Sequence, residues 1–213
     1  MPWFQTKMIK RDKNIIKSQM PKGQAVFVSI VWFIILMSLY FLFTSCTKTD
    51  ENGFRDYVIK EGNHSSRTSY ITTKTNYIQF QSIFDESAIY ENIDSTNQYD
   101  INKLYGLSDC KHNHIKTSIR LGWRWLNDSL EIHWFKHTNS NFSFAKISTI
   151  NLNTIVNFSI RFDSNYYYIS VDNDTAIVKR PCNNQSIRKY YLWPYFGGDE
   201  TSPHDIIIKI KNI

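Results

Sequence analysis

The stretch "RLGWRWLNDSLEIHWF", residues 120–135, decides the fold. Its centre, Asn127-Asp128, is a two-residue turn signal, because Asn and Asp tolerate the positive φ that tight hairpin turns demand. With the turn there, Trp125 faces Leu130, Trp123 faces Ile132 and Leu121 faces Trp134, and all six side chains share one face. The other face carries Arg124 opposite Glu131 and Gly122 opposite His133. Side chains alternate along a strand, so the hairpin offers one apolar face to a core and one polar face to water. The cross-strand ion pair adds at most ~1 kcal/mol. Its aromatic face needs a second layer to cover it.

Working outward, residues 70–213 read as short strands at 77–84, 103–107, 115–126, 129–136, 142–150, 155–163, 166–172, 175–179, 189–194 and 205–211. Tyr, Phe, Trp, Ile, Thr and Val fill them, and Asn, Asp, Ser and Gly separate them. No amphipathic helix of ten residues stands out, although 85–100 has room for a short one. The expected fold is all-β, an antiparallel jelly-roll-like β-sandwich. A second hairpin, "YYYISVDNDTAIV" (166–178), is expected to turn at Asn173-Asp174, with Val171 opposite Ala176 and Ile169 opposite Val178. Its pattern is similar to the penultimate hairpin of concanavalin- and laminin-G-like jelly rolls.

The chain has 213 residues, enough for one domain and a leader. Of its 25 cations and 19 acids, six cations and one acid lie in residues 1–45, so 19 cations and 18 acids leave the body at +1. A near-neutral body gives no phosphate-steering patch, and no nucleic-acid partner is expected. After the basic run comes "AVFVSIVWFIILMSLYFLF" (25–43), uncharged, and then Thr44-Ser45-Cys46. A basic region, an apolar run and a small-residue exit form an export signal. Small residues directly before Cys46 resemble the lipobox of bacterial lipoproteins, with Phe43 where Leu is usual. The expected signal segment is 1–45, cleaved so that a lipidated Cys46 holds the protein on the membrane. The alternative is an uncleaved anchor spanning the bilayer with the body outside the cytosol. Met8 and Met20 are alternative starts.

Residues 46–69 are expected to be a polar tether, with the β-sandwich following at 70–213. Lys48, Asp50 and Glu51 loosely fit a surface-export signal, so the expected location is the cell envelope, as an outer-membrane lipoprotein. With Cys46 assigned to the anchor, Cys110 and Cys182 remain, either as a bridge closing a loop worth ~4 kcal/mol or as two buried thiols.

Arg120 and Arg124 alternate onto the polar hairpin face, across from Glu131 and His133. This grouping resembles the floor of β-sandwich polysaccharide lyases, in which cations neutralise a uronate and a His or Tyr takes a proton. On that reading Arg120, Arg124 and His133 are candidate catalytic residues of a lyase or hydrolase acting on the concave sheet face. The plainer reading is a solvated face with Arg124 already paired, because the lyases' paired sheet motifs are not recognisable here. His112 and His114, two apart, would share a face of a strand and suit zinc, but a polar turn before Ile115 explains them equally, and no metal is assigned. The chain has no G-x-S-x-G, no H-E-x-x-H and no phosphate loop, so no cofactor is expected.

The closing stretch "YLWPYFGGDETSPHDI" (191–206) packs aromatics, two prolines and a glycine pair into a loop before a last strand with Ile206, Ile208 and Ile210 inward. Trp193 and Tyr195 either stack on sugar rings, with Arg120 and His133 as further ligand contacts, or fold inward and fasten the last strand. "NKLYGLSDCKHNHIKTSIRLGWRWLNDSLEIHWF" (102–135) together with "KYYLWPYFGGDETSPHDIIIKI" (189–210) resembles a group of small lipoproteins of Bacteroidota. The resemblance implies lipidation, an exported β-sandwich and a Cys110–Cys182 bridge, and it implies no activity. The expected role is glycan binding or interaction with an envelope protein. The alternatives are the lyase or hydrolase, and a structural subunit of an envelope complex.

Overall fold

The computed structural model describes residues 49–183 and 188–213. Cys46 and the apolar run 25–43, on which anchoring rests, lie outside the described residues. Among those described, no helix is long and apolar enough to cross a membrane.

Two six-stranded antiparallel sheets form the domain. The first runs β1 (Arg55–Ile59), β12 (Ile206–Asn212), β3 (Tyr77–Phe84), β8 (Val156–Phe162), β9 (Tyr166–Val171), β10 (Asp174–Lys179). The second runs β2 (Thr72–Thr73), β11 (Lys189–Leu192), β4 (Asn102–Ser108), β5 (Thr117–Leu126), β6 (Ser129–Thr138), β7 (Asn141–Ile150). Among the described residues, two short 3-10 turns, at 86–88 and 95–99, interrupt the strands. The sheets face each other across an aromatic core: Phe80 meets Tyr105 edge to face at 5.0 Å, and Phe84 meets Trp123 at 5.4 Å. This is the β-sandwich that the alternation required.

The β5–β6 hairpin has the expected register throughout, from Trp125 opposite Leu130 to Leu121 opposite Trp134. Asn127 and Asp128 both take positive φ, 50° and 55°. The second hairpin differs. Ala176 lies opposite Ile169 and Val178 opposite Tyr167, so the turn is at Asp172-Asn173. Asp172 takes a φ of 47°, and its carboxylate accepts from the backbone and side-chain nitrogens of Asn157 on β8. That long-range anchor sets the turn. A slip of two residues keeps every side chain on its own face, so alternation alone does not separate the two registers.

The tether expectation at 46–69 is overturned. Residues Arg55–Ile59 pair with β12, and Phe54, Tyr57 and Ile59 are buried. Five residues of alternation inside a polar run carry a weak signal, and their partner lies at the far end of the chain.

Cys110 and Cys182 form the bridge. Beside it Asp109, fully buried, accepts from Arg180 at 2.6 and 2.9 Å and from the Tyr167 hydroxyl at 2.8 Å. Asp109 with the two cysteines is the one cluster of metal-ligand type among the described residues, and its thiols are consumed by the bridge.

Candidate functional site

The outer face of the second sheet is built by register. Gly106 on β4 stands opposite Arg120 on β5, Arg120 opposite Phe135 on β6, and Phe135 opposite Phe144 on β7. The adjacent row runs Ser108, Ser118, His137, Phe142. On the other side, Lys103, Gly122, His133 and Lys146 form a third row, reached because a bulge between Lys103 and Tyr105 turns Lys103 outward while Leu104 and Tyr105 stay in the core.

The closing stretch then covers part of this face. Tyr195 exchanges backbone hydrogen bonds with Lys103 at 2.8 and 2.9 Å and bridges to Ser65. Its ring stacks on His64 at 5.2 Å. His114, in the turn before β5, donates its backbone N–H to the Tyr190 hydroxyl, with Nδ1 3.1 Å from the same oxygen. Between these pieces lie two adjoining cavities. One, of about 260 Å³, is lined by Arg67, Tyr70, His114, Arg120, Trp193 and Tyr195 among others. The second, of about 210 Å³, is lined by Lys103, His114, Ile115, Arg120, His137 and Tyr195. No carboxylate lines either.

Arg120 is the centre of the arrangement. It is 7% exposed, its Nε has no hydrogen-bond partner among the described residues, and the groups that favour its charge are the phenols of Tyr70, Tyr190 and Tyr195 rather than an acid. Burial pulls its pKa down to about 10. Lys103 falls to about 8, from burial first and Arg120 second, against a smaller opposing pull from Asp100. His114 and His137 both fall to about 4, again through burial and then the neighbouring guanidinium. At neutral pH the second cavity holds two cations and two neutral imidazoles, and Arg67 adds a third cation to the wall of the first.

The other hairpin candidates lie elsewhere. Arg124 donates to Glu131 at 2.7 Å, Lys146 reaches the same carboxylate at 2.9 Å, and His133 Nε2 sits 3.1 Å from it. Burial pushes the Glu131 carboxyl up, and the hydrogen bonds from Lys146, Arg124 and His133 together outweigh it and hold the group down at about 2. His133 is 2% exposed. The Arg124–Glu131 pair is thus made as the plainer reading expected, but that part of the face is not solvated, since His133 is buried against the same carboxylate, and of the three hairpin candidates only Arg120 lines the cavities. Trp193 stacks on Tyr57 at 5.6 Å and donates Nε1 to the Ser69 carbonyl, so it fastens the closing stretch while its edge borders the cavity. Phe196 is core. Tyr195 alone of the closing aromatics lines both cavities.

His112 and His114 lie in a turn, not on a strand, and their Nδ1 atoms contact different partners, Thr117 and Tyr190. Lys103, His137 and the Phe142–Phe144 pair are additions that sequence reading missed. Continuing the hairpin register beyond Trp134 would have placed Phe135 and His137 beside Arg120 and Ser118. Lys103 was hidden by the bulge. A larger cleft of about 620 Å³ on the first sheet is lined by both signs of charge, with Lys209 near Asp50 and Asp56, and exposes no unpaired buried ion among the described residues.

Neither a family model nor a curated protein sequence matches the chain. Among solved structures, it is similar to the alginate lyase AlyC3, at 10% identity and a TM-score of 0.54, over 79% of this chain and 77% of that one. It is also similar to an alginate lyase from Chlorella virus, at 12% identity and a TM-score of 0.50, over 79% and 87%. At such identity the likeness establishes the fold: a jelly-roll β-sandwich of the kind found in carbohydrate-active proteins.

Proposed function

We propose that the protein is an exported envelope lipoprotein whose outer sheet face binds an acidic glycan. The observation that carries the ligand class is Arg120, a buried guanidinium with no acid beside it, lining cavities that contain no carboxylate. An uncompensated buried charge costs several kcal/mol. A uronate carboxylate, gripped by the planar fork, would remove that cost. Lys103 adds a second positive charge, and Tyr195 and Tyr70 line the cavities with aromatic surface for sugar rings. The two alginate lyases named above act on a polyuronate, which agrees with the choice. The basic leader, the apolar run and Thr44-Ser45-Cys46 support lipid anchoring at Cys46 in the outer membrane, and a disulfide suits a non-cytosolic compartment.

Equilibrium binding of the full chain in detergent micelles to polymannuronate, polyguluronate and a neutral glucan tests the reading. Acidic polymers bind, the neutral one does not, and Arg120→Ala weakens binding by roughly ten- to a hundredfold, the worth of a charged hydrogen bond. Equal binding of neutral and acidic polymers, or no effect of Arg120→Ala, would sink it. For the anchor, Cys46→Ser releases the protein from the membrane fraction; retention there would instead favour the spanning segment.

A second reading, a lyase, is favoured by the neutral imidazoles of His114 and His137 in the Arg120 cavity. An imidazole nitrogen would take the C5 proton of the uronate held by Arg120. The electron pair would form the C4–C5 double bond, and the glycosidic oxygen would leave C4 with a proton from Tyr195. Ultraviolet absorbance of an unsaturated product, turning over with time, distinguishes it. Binding without product leaves the binding module.

A further inference from the structure

The β7 end of the same face carries apolar groups that the carboxylate site does not use. Phe142 and Phe144 are 64% and 39% exposed on an edge strand, where apolar side chains invite aggregation. Their rings are parallel to each other within 10° and to Phe135 within 12° and 7°, with centroids 5.7–6.3 Å apart. Phe135 joins this row to the carboxylate site, being the ladder partner of Arg120 and lying 4.6 Å beneath the Lys103 ammonium. Arg120 and Phe144 are two strand spacings apart, about 10 Å. The cation nearest by row, Lys146, is already paired with Glu131. A ligand leaving Arg120 towards β7 therefore passes from positive charge onto flat, uncharged aromatic surface.

We propose that Phe142 and Phe144, backed by the buried Phe135, form a platform for the apolar face of the sugar ring that follows the uronate held by Arg120. This rests on the acidic-glycan reading above. Continuity with the Arg120 cavity and the common orientation of the three rings select a pyranose face: its axial C–H groups present a flat apolar surface to a row of parallel rings.

The full chain in detergent micelles is titrated with a uronate disaccharide and tetrasaccharide, as wild type, Phe142→Ala, Phe144→Ala and Arg120→Ala. The tetrasaccharide is expected to bind wild type roughly three- to tenfold more tightly than the disaccharide. Either Phe variant loses that gain and keeps disaccharide binding, while Arg120→Ala weakens both. Equal affinity for the two lengths, or Phe variants that retain the gain, would overturn the platform and leave the Arg120 site standing. Failure of wild type to bind either sugar would overturn both. A dimer that forms without sugar and disappears in Phe142→Ala would assign the face to a second copy of this chain, against the platform.

Discussion

Gly106 and Arg120 are ladder partners, and a Cβ on Gly106 would stand 2.6 Å from the Cα of Arg120 and 3.0 Å from its Cγ, besides striking the carbonyl oxygen of Ile119. The missing side chain is what allows the Arg120 stem to lie across β4 and its guanidinium to reach the cavity. Gly106→Ala is expected to cost about 1–3 kcal/mol through overpacking and to weaken acidic-glycan binding with it. Thermal melts and binding titrations check both; an unchanged melting temperature would show that β4 and β5 separate more easily than this packing allows.

Arg120 itself separates stability from binding. Buried ions are often replaced by apolar residues of similar volume at a gain of about 1–4 kcal/mol. Arg120→Met is therefore expected to leave the unliganded fold as stable as wild type or more so, while binding is lost. Denaturant unfolding alongside ligand titration tests this. A strongly destabilised Arg120→Met would mean that the guanidinium is a structural support rather than a ligand contact.

Two titrations set the pH behaviour of the site. His114 and His137 have folded pKa values of about 4, below the usual 6.5, so the unfolded chain binds protons first as pH falls. Their neutral burial costs nothing above pH 6.5, and stability is lost progressively between pH 6.5 and 4. Replacing both with Asn should flatten that slope in unfolding measurements made across the range. Lys103, lowered to about 8, loses its charge as pH rises through that value, so affinity for an acidic glycan should fall between pH 7 and 9. Affinity that holds constant to pH 9 would remove Lys103 from the site.

Asp109 and Arg180 are wholly buried and bound to each other beside the disulfide. Arg180→Met leaves the Asp109 carboxylate buried without its bidentate partner, with the Tyr167 hydroxyl still donating to it, and should cost about 3–5 kcal/mol. The double variant Asp109→Leu, Arg180→Met should recover part of that loss, since the cost lies in the orphaned charge. Cys110→Ser with Cys182→Ser removes the loop constraint, worth ~4 kcal/mol. Chemical denaturation of the variants orders these terms, and no recovery in the double variant would show that shape, not charge, dominates the cluster.

The sandwich, the β5–β6 register and the sharing of one sheet face by Arg120, Arg124 and His133 are all legible in the chain. These follow from alternation and a two-residue turn, which are local and have a period of two. The same alternation marks Ile206, Ile208 and Ile210 as core, and all three are buried. Which of the hairpin cations is left without an acid shows only in the folded molecule, because that depends on where the Glu131 oxygens go and on what covers Arg120. The same holds for the strand at 55–59, the turn anchored by Asp172 on Asn157 and the outward turn of Lys103. Each of these is set by a partner distant in sequence or by a bulge, and neither leaves a periodic mark on the chain. The cavity exists because the closing stretch folds back over a face that alternation alone would have left open to water.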